Sequence, residues 1–395
     1  MNTLWIYKKN KHLDGIVELP DSKSESNRVL IIRSLCGKNF HIDNLSESDD
    51  TRTLEQLLKL IEKTTHSKND KPVILNTGNA GTVMRFLTAF LSIKTGSWLL
   101  TGSERMKERP VGKLVDALKQ LGADITYLDK EGFPPLLING SELKGKEISV
   151  EAFESSQFVT ALMLIAPVIS GGLKINLKGI VVSRPYLDMT IRILNRFGVH
   201  VHKSDSYIEI NDQTFKPKNY SIEKDWSAAA YWYELVALSG HGSLLLKGLE
   251  KKSVQGDAIL PDIFENFGVK TQFRDDGTYL FKKGDEVKQY ENSFIDHPDL
   301  AQACLVTCAG LNIPSVFHRL GHLQIKETDR IRAMMNEFKK IGIISMLEKD
   351  TVIIRKSEQL KVNHPIETYG DHRMAMSFAP LSIQTRQIGI KNPGV

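Results

Sequence analysis

The sequence predicts an α/β chain assembled from repeated units, and three observations predict it. Four segments read as helix, glycine, then strand: Leu121-Gly122-Ala123, Phe197-Gly198-Val199, Phe267-Gly268-Val269 and Ile341-Gly342-Ile343. Their glycines lie 70 to 76 residues apart. A second helix type, richer in Ala, Leu and Met, alternates with the charged amphipathic helix of each segment and reads as buried on most sides. Such a period marks a repeat architecture, because one unit cannot bury its own apolar face and must pack on its neighbours.

Taken in order, residues 1–9 read as a short strand rather than a signal peptide. The apolar helices start near Ser24, Ala80, Ser156, Trp226, Asp299 and His372, and after the first gap these starts are 70 to 76 residues apart. Gly37, Gly96, Gly171, Gly240 and Gly310 end several of them. Before each charged helix comes a strand, such as Leu99-Leu100-Thr101 or Val316-Phe317-His318. After each comes a hairpin with a polar turn, such as Asp129-Lys130-Glu131-Gly132 or Asp275-Asp276-Gly277. In the charged helix near residue 330, Ile331, Met334, Met335, Phe338 and Ile341 share one face. Thr328 or Asp329 is its expected N-cap and Gly342 its end. Pro110 is expected at the first helical position of the charged helix that Arg105 introduces. Five units are nearly complete. A sixth begins with Gln387-Ile388-Gly389-Ile390-Lys391, and Val395 follows before its loop and helix. The expectation is a chain that ends early, with a natural short terminal cap as the alternative.

Composition narrows the function classes. A length of 395 residues suffices for two domains with well-buried cores. The net charge of +5 is only mildly basic, and no stripe of interleaved basic and aromatic residues suggests nucleic acid as a partner. Cys36, Cys304 and Cys308 lie in apolar helical runs without other metal-ligand spacing, so they read as core thiols in a reducing cytoplasm. The longest apolar run, Phe158 to Ile169, is too short to span a membrane. Asn79-Ala80-Gly81-Thr82 lacks the residues of a P-loop, and no Gly-x-Gly-x-x-Gly follows a strand.

The polar residues cluster at helix starts. The apolar helices open with Ser22-Lys23-Ser24 followed by Asn27-Arg28, with Asn79-Ala80-Gly81-Thr82 followed by Arg85, with Ser155-Ser156-Gln157, and with Asp371-His372-Arg373. The charged helices open with Arg105 to Pro110, with Ser183-Arg184-Pro185-Tyr186 and with Lys326-Glu327-Thr328-Asp329-Arg330. Singly, each has an ordinary explanation: Ser155 and Ser156 as caps, Arg105 and Arg109 as surface charges, Ser183 and Tyr186 as turn residues, His372 as a surface histidine, Asp299 as an N-cap. Together they differ. Helix N-termini present free N–H groups, a cation there opposes the helix dipole unless an anion lies beside it, and hydroxyls and guanidinium groups add charge-assisted bonds. The constellation implies a cleft for a small polyanion.

At these motifs, along nearly the whole chain, the sequence resembles the 5-enolpyruvylshikimate-3-phosphate synthase family. The resemblance implies two domains, each three repeats folded as an inverted α/β barrel, joined by two crossings and closing on substrate. The domains would be residues 21–222, and residues 1–20 with 223–395, the crossings falling near Pro20-Asp21 and Ser221 to Lys224. The implied reaction moves the enolpyruvyl group of phosphoenolpyruvate to the 5-hydroxyl of shikimate 3-phosphate and releases phosphate. It would proceed by addition and elimination, with no metal or organic cofactor, in a cytoplasmic monomer. By resemblance, Asp299 orients and deprotonates the 5-hydroxyl, and Glu327 with Lys23 forms the proton-transfer pair, with His372 also in the catalytic set. Ser155, Ser156 and Ser183 resemble the phosphate cradle, and Ser24 and Arg28 with Tyr186 the ring-carboxylate site. Lys23, Asp299, His322 and Lys326 join the shikimate 3-phosphate contacts. Lys23, Asn79, Gly81, Arg109, Gln157, Arg330, His372 and Arg373 resemble phosphoenolpyruvate contacts. Asp21, Gln324 and Phe86 depart from the usual Gly, Arg and Pro, and the family's C-terminal Lys-Ser/Thr-aromatic-Pro segment is absent.

Two rival readings stand beside this one. The related transfer to a UDP-amino sugar uses a mobile-loop cysteine, and none lies near Lys107 to Arg109. A non-catalytic polyanion-binding repeat protein explains the cations. It gives no reason for Asp299 and Glu327 among them, where acids weaken anion binding.

Overall fold

The computed structural model describes residues 2–64, 71–151, 153, 155–358 and 360–395. The chain divides into two compact units, one comprising Asp21–Glu223 and the other Met1–Pro20 with Lys224–Val395.

In the unit Asp21–Glu223, Val73–Asn76 lies parallel to Ser97–Thr101, which is followed by antiparallel Leu136–Asn139 and Asp124–Tyr127. A second sheet runs Glu147–Glu151, Leu173–Lys178, Tyr207–Ile210, His202–Lys203 with the same senses. Ile42–Asp43 and Tyr220–Ser221 form a short parallel pair. The alternation that shaped these strands is visible in Ser97–Thr101, where Trp98 and Leu100 are buried and their neighbours are half-buried.

The other unit repeats the arrangement. His12–Glu18 is parallel to His241–Lys247, followed by Gly277–Glu286 and Phe267–Arg274. Tyr290–Ser293 is parallel to Ser315–His318, followed by Thr351–Ile354 and Ser345–Glu348. Thr3–Tyr7 pairs antiparallel with Gln387–Lys391. The first residue of the expected terminal strand, Met1, lies outside the described residues.

Each core is built on apolar helices. Lys23–Leu35, Gly81–Ser92 and Ser156–Ile165 pack together in one unit, and Ala301–Gly310 packs on both Trp226–Leu238 and His372–Phe378 in the other. In Gly81–Ser92 every residue but Thr82 is buried. A helix apolar all round has no face for water, and each large side chain it buries contributes about 1.5–3 kcal/mol. These helices begin within two residues of the expected starts. No helix among the described residues is long and apolar enough to cross a membrane.

Three local expectations are corrected. Pro110 is not a first helical residue: a short helix Glu104–Lys107 precedes it, and the next helix, Gly112–Gln120, has Val111 as its N-cap. The backbone there is engaged elsewhere, since Val111 N donates to Gly132 O and the Pro110 carbonyl accepts from Arg85. Gly268 does not separate helix from strand. It lies inside Phe267–Arg274 with φ +75°, at a register shift between Phe267 and Val269, where a bulge needs a left-handed residue. Cys36 is half-buried at a helix end, whereas Cys304 and Cys308 are core thiols.

Candidate active site

The expected residues fall into two clusters, one in each unit. In Asp21–Glu223, Ser22 caps the helix Lys23–Leu35 by accepting from Glu25 N. That places Lys23 in the first turn, 3.3 Å from Asp50. One turn on, Arg28 is buried, and its guanidinium is fixed by three acceptors. Nε donates to Thr190 Oγ1 at 2.8 Å, Nη1 to Ser24 O at 2.6 Å and Nη2 to Tyr186 O at 3.3 Å. It also lies over the rings of Phe86 and Tyr186. Burial pushes its pKa down to about 10, so the charge persists at neutral pH.

The helix Gly81–Ser92 starts against two more arginines. Arg109 Nη1 donates to Asn79 O at 3.0 Å, and Arg85 Nη1 donates to Gly81 O at 3.2 Å. A Cβ at Gly81 would stand 2.6 Å from Arg109 Nη2 and 2.7 Å from Arg85 Nη1, so glycine is what lets both guanidiniums approach. Ser155 caps the helix Ser156–Ile165 by accepting from Gln157 N, and Gln157 Nε2 donates to Thr82 Oγ1 at 3.3 Å. Ser156 is buried. Ser183 sits at φ +56° before the helix Arg184–Arg196 and is buried, its side chain making no cap bond. The arrangement is an array of helix starts, hydroxyls and guanidiniums suited to anionic oxygens.

The second cluster, in the other unit, has a different character. Asp329 caps the helix Arg330–Lys340, and Arg330 is almost wholly buried in its first turn. Three carboxylates meet its guanidinium: Asp371 on Nε at 2.8 Å, Asp299 on Nη1 at 3.3 Å and Glu327 on Nη2 at 2.7 Å. Burial opposes this charge, but Asp371 and Glu327 outweigh it and raise the pKa. Arg373 adds a second grip on Asp299, from Nη2 to Oδ2 at 3.1 Å and from Nη1 to the backbone oxygen at 3.2 Å. Asp371 caps the helix that carries His372 and Arg373 by accepting from Arg373 N. The His372 ring is partly exposed, 3.9 Å from Asp371. His322 is buried, and burial with help from Lys326 pushes its pKa down to about 3, so the ring is neutral. Its Nε2 makes no hydrogen bond among the described residues.

The reading of Asp299 as an N-cap is corrected. The helix is Ala301–Gly310, Leu300 holds the cap position, and no side chain caps it. Asp299 is instead turned toward two guanidiniums, because a half-buried carboxylate gains more from two charged donors than from one backbone N–H. Arg330 also faces three carboxylates of its own chain, which its place at a helix start does not foretell. Sequence reasoning missed Thr190, Asp50 and Tyr231. Only Asp371 carried a signal, standing beside His372 and Arg373 in a recognised motif.

Comparison with known proteins agrees along the chain. Residues 7–395 match the family model described as EPSP synthase (3-phosphoshikimate 1-carboxyvinyltransferase). A 3-phosphoshikimate 1-carboxyvinyltransferase of Bacteroides fragilis is 42% identical over 386 residues, covering 97% of this chain and 92% of the relative. Proteins of the same name from Sulfurovum sp. and Vibrio campbellii are 37% and 36% identical, each covering all of this chain and 95% or 96% of the relative. The solved structure of an EPSP synthase from Acinetobacter baumannii shares the mixed α/β fold with a TM-score of 0.78 at 22% identity, over 99% of this chain and 94% of that one. The chain belongs to the EPSP synthase family.

Proposed function

We propose that the protein transfers the enolpyruvyl group of phosphoenolpyruvate to the 5-hydroxyl of shikimate 3-phosphate, releasing phosphate, in the biosynthesis of aromatic amino acids. Family membership supports the reaction. The observation that carries its chemistry is the shared guanidinium of Arg330, which holds both Asp299 and Glu327. Two arginines orient the Asp299 carboxylate, whose remaining lone pairs can meet a hydroxyl, and Glu327 beside it is a second group able to carry a proton.

In the addition step Asp299 accepts the 5-hydroxyl proton, the freed oxygen bonds to C2 of phosphoenolpyruvate, and Glu327 protonates the methylene, which becomes a methyl group. In the elimination step the bond from C2 to the phosphate oxygen breaks, the methyl group returns its proton to Glu327, and the leaving phosphate takes up the proton that Asp299 had accepted. Lys23 is the second proton-transfer group of this reading, and His372 also belongs to the catalytic set. Lys23, Ser24, Arg28, Ser155, Ser156, Ser183 and Tyr186, with Asp299, His322 and Lys326, bind shikimate 3-phosphate. Lys23, Asn79, Gly81, Arg109, Gln157, Arg330, His372 and Arg373 bind phosphoenolpyruvate. The hydroxyls and helix starts of the first cluster support the phosphate role.

Each unit is further read as three repeats closed into an inverted α/β barrel. The four sheets of identical order and sense support that reading. The protein is proposed to act as a cytoplasmic monomer whose partners are its metabolites.

The test is phosphate release with phosphoenolpyruvate, comparing shikimate 3-phosphate with unphosphorylated shikimate and with a UDP-amino sugar. Release with shikimate 3-phosphate alone is expected. Release with the UDP-amino sugar, or with none of the three, overturns the proposal.

A further inference from the structure

Tyr231 stands on the helix Trp226–Leu238, in a run of Ala and aromatic residues with no motif to mark it. Its ring is buried, yet among the described residues the hydroxyl is not spent on a neighbouring backbone, as buried phenols commonly are. The hydroxyl accepts from Arg373 Nη1 at 3.3 Å. The same Nη1 donates to the backbone oxygen of Asp299 at 3.2 Å, and Nη2 reaches Asp299 Oδ2 at 3.1 Å. A guanidinium is a rigid plane, so two acceptors on one terminal nitrogen set where the other points. One of those two acceptors is Tyr231. Burial, opposed by Arg373, raises the phenol above its ordinary pKa, so it remains a neutral acceptor through the working pH range.

We propose that Tyr231 is a positioning residue, which sets the plane of Arg373 against Asp299 and thereby holds Arg373 in place for the carboxylate or phosphate of phosphoenolpyruvate. The proposal rests on the reading above that Arg373 meets phosphoenolpyruvate. Tyr231 itself touches no reacting atom in this account. Its hydroxyl works through Arg373, so removing it affects one substrate and not the other. Packing alone would predict no such selectivity, because Phe fills the same space as Tyr without the hydroxyl.

The experiment compares the full-length protein with Tyr231→Phe, Arg373→Lys and the double variant, reading KM for each substrate, kcat and the thermal midpoint. Tyr231→Phe is expected to raise KM for phosphoenolpyruvate about tenfold, the effect of one hydrogen bond to a charged group. KM for shikimate 3-phosphate and the thermal midpoint should hold. Arg373→Lys is expected to raise KM for phosphoenolpyruvate further, and adding Tyr231→Phe to it should change little, because the residue acted on has gone. Additive effects in the double variant, or a Tyr231→Phe protein with unchanged KM for phosphoenolpyruvate while Arg373→Lys raises it, overturn the positioning role. A lowered midpoint with both KM values raised equally would make Tyr231 a packing residue and also overturn it. An Arg373→Lys protein with normal KM for phosphoenolpyruvate would remove the underlying assignment of Arg373 instead, whatever Tyr231→Phe does.

Discussion

Arg330 donates from Nε to Asp371 Oδ2 at 2.8 Å, with the Arg330 side chain 2% exposed and that of Asp371 fully buried. Breaking a buried ion pair by removing one partner strands the other charge, at a cost of about 3–5 kcal/mol. Asp371→Ala should therefore lower stability by that order, with the loss of the cap on the helix His372–Phe378 adding to it. Asp371→Asn, which keeps an acceptor, should cost less. Urea unfolding of the two variants checks the order, and an Asp371→Ala protein as stable as the parent would contradict it.

Asp299→Ala should slow turnover by roughly 10²–10⁴-fold, the range of a positioned acid or base, while shikimate 3-phosphate still binds. The structure removes the competing explanation, since Asp299 caps no helix. Glu327→Gln should slow turnover likewise and also abolish exchange of solvent hydrogen into the methylene of phosphoenolpyruvate. A folded Asp299→Ala protein with near-normal kcat would end its assignment as the base.

Gly81→Ala should raise KM for phosphoenolpyruvate without unfolding the protein. The added Cβ enters the space of Arg109 Nη2 and Arg85 Nη1, so the guanidiniums must move. Ala favours the helix by up to about 1 kcal/mol over Gly, so stability should be level or slightly higher. A shift of about tenfold or more in KM is the expected reading, for a charge-assisted contact of roughly 1.5–3 kcal/mol partly lost. Unchanged KM would show that neither arginine meets that substrate.

Glu25 provides a pH signature. It is fully buried, accepts from Tyr220 Oη and from Glu223 N, and burial with the nearby Glu223 raises its pKa to about 7. The folded protein therefore binds the Glu25 proton more tightly than the unfolded chain does. This contribution is fully present below the unfolded value of about 4.5, falls as pH rises, and is lost above about 7. Glu25→Gln cannot ionise. The stability of the parent relative to this variant should fall by about 2–3 kcal/mol between pH 5 and 8. Urea titrations across that range test it, and a pH-independent difference would show that Glu25 ionises alike in both states.

The elements that could be read without coordinates are those whose cause is local. The six apolar helices and the polar turns announce themselves through composition, spacing and glycine, which act over a few residues. A cap at Thr328 or Asp329 was legible because a cap and its helix are adjacent in the chain, and the structure places it on Asp329. Pro110 misled for the same reason: its local preference suits a helix start, and the distant partners Gly132 and Arg85 overrode it.

What the sequence determined alone is the mixed α/β class, the starts of the apolar helices, and the family whose motifs occupy them. What only the tertiary structure decided is how the charged groups pair. Glu327 is three residues from Arg330, but Asp299 and Asp371 are 31 and 41 residues away, and Tyr231 is 142 residues from Arg373. None of these distances has a period or a composition that marks it. The partners are selected when folding strips water from a guanidinium, since a buried charge is tolerated only where other parts of the chain bring carboxylates and hydroxyls within bonding reach.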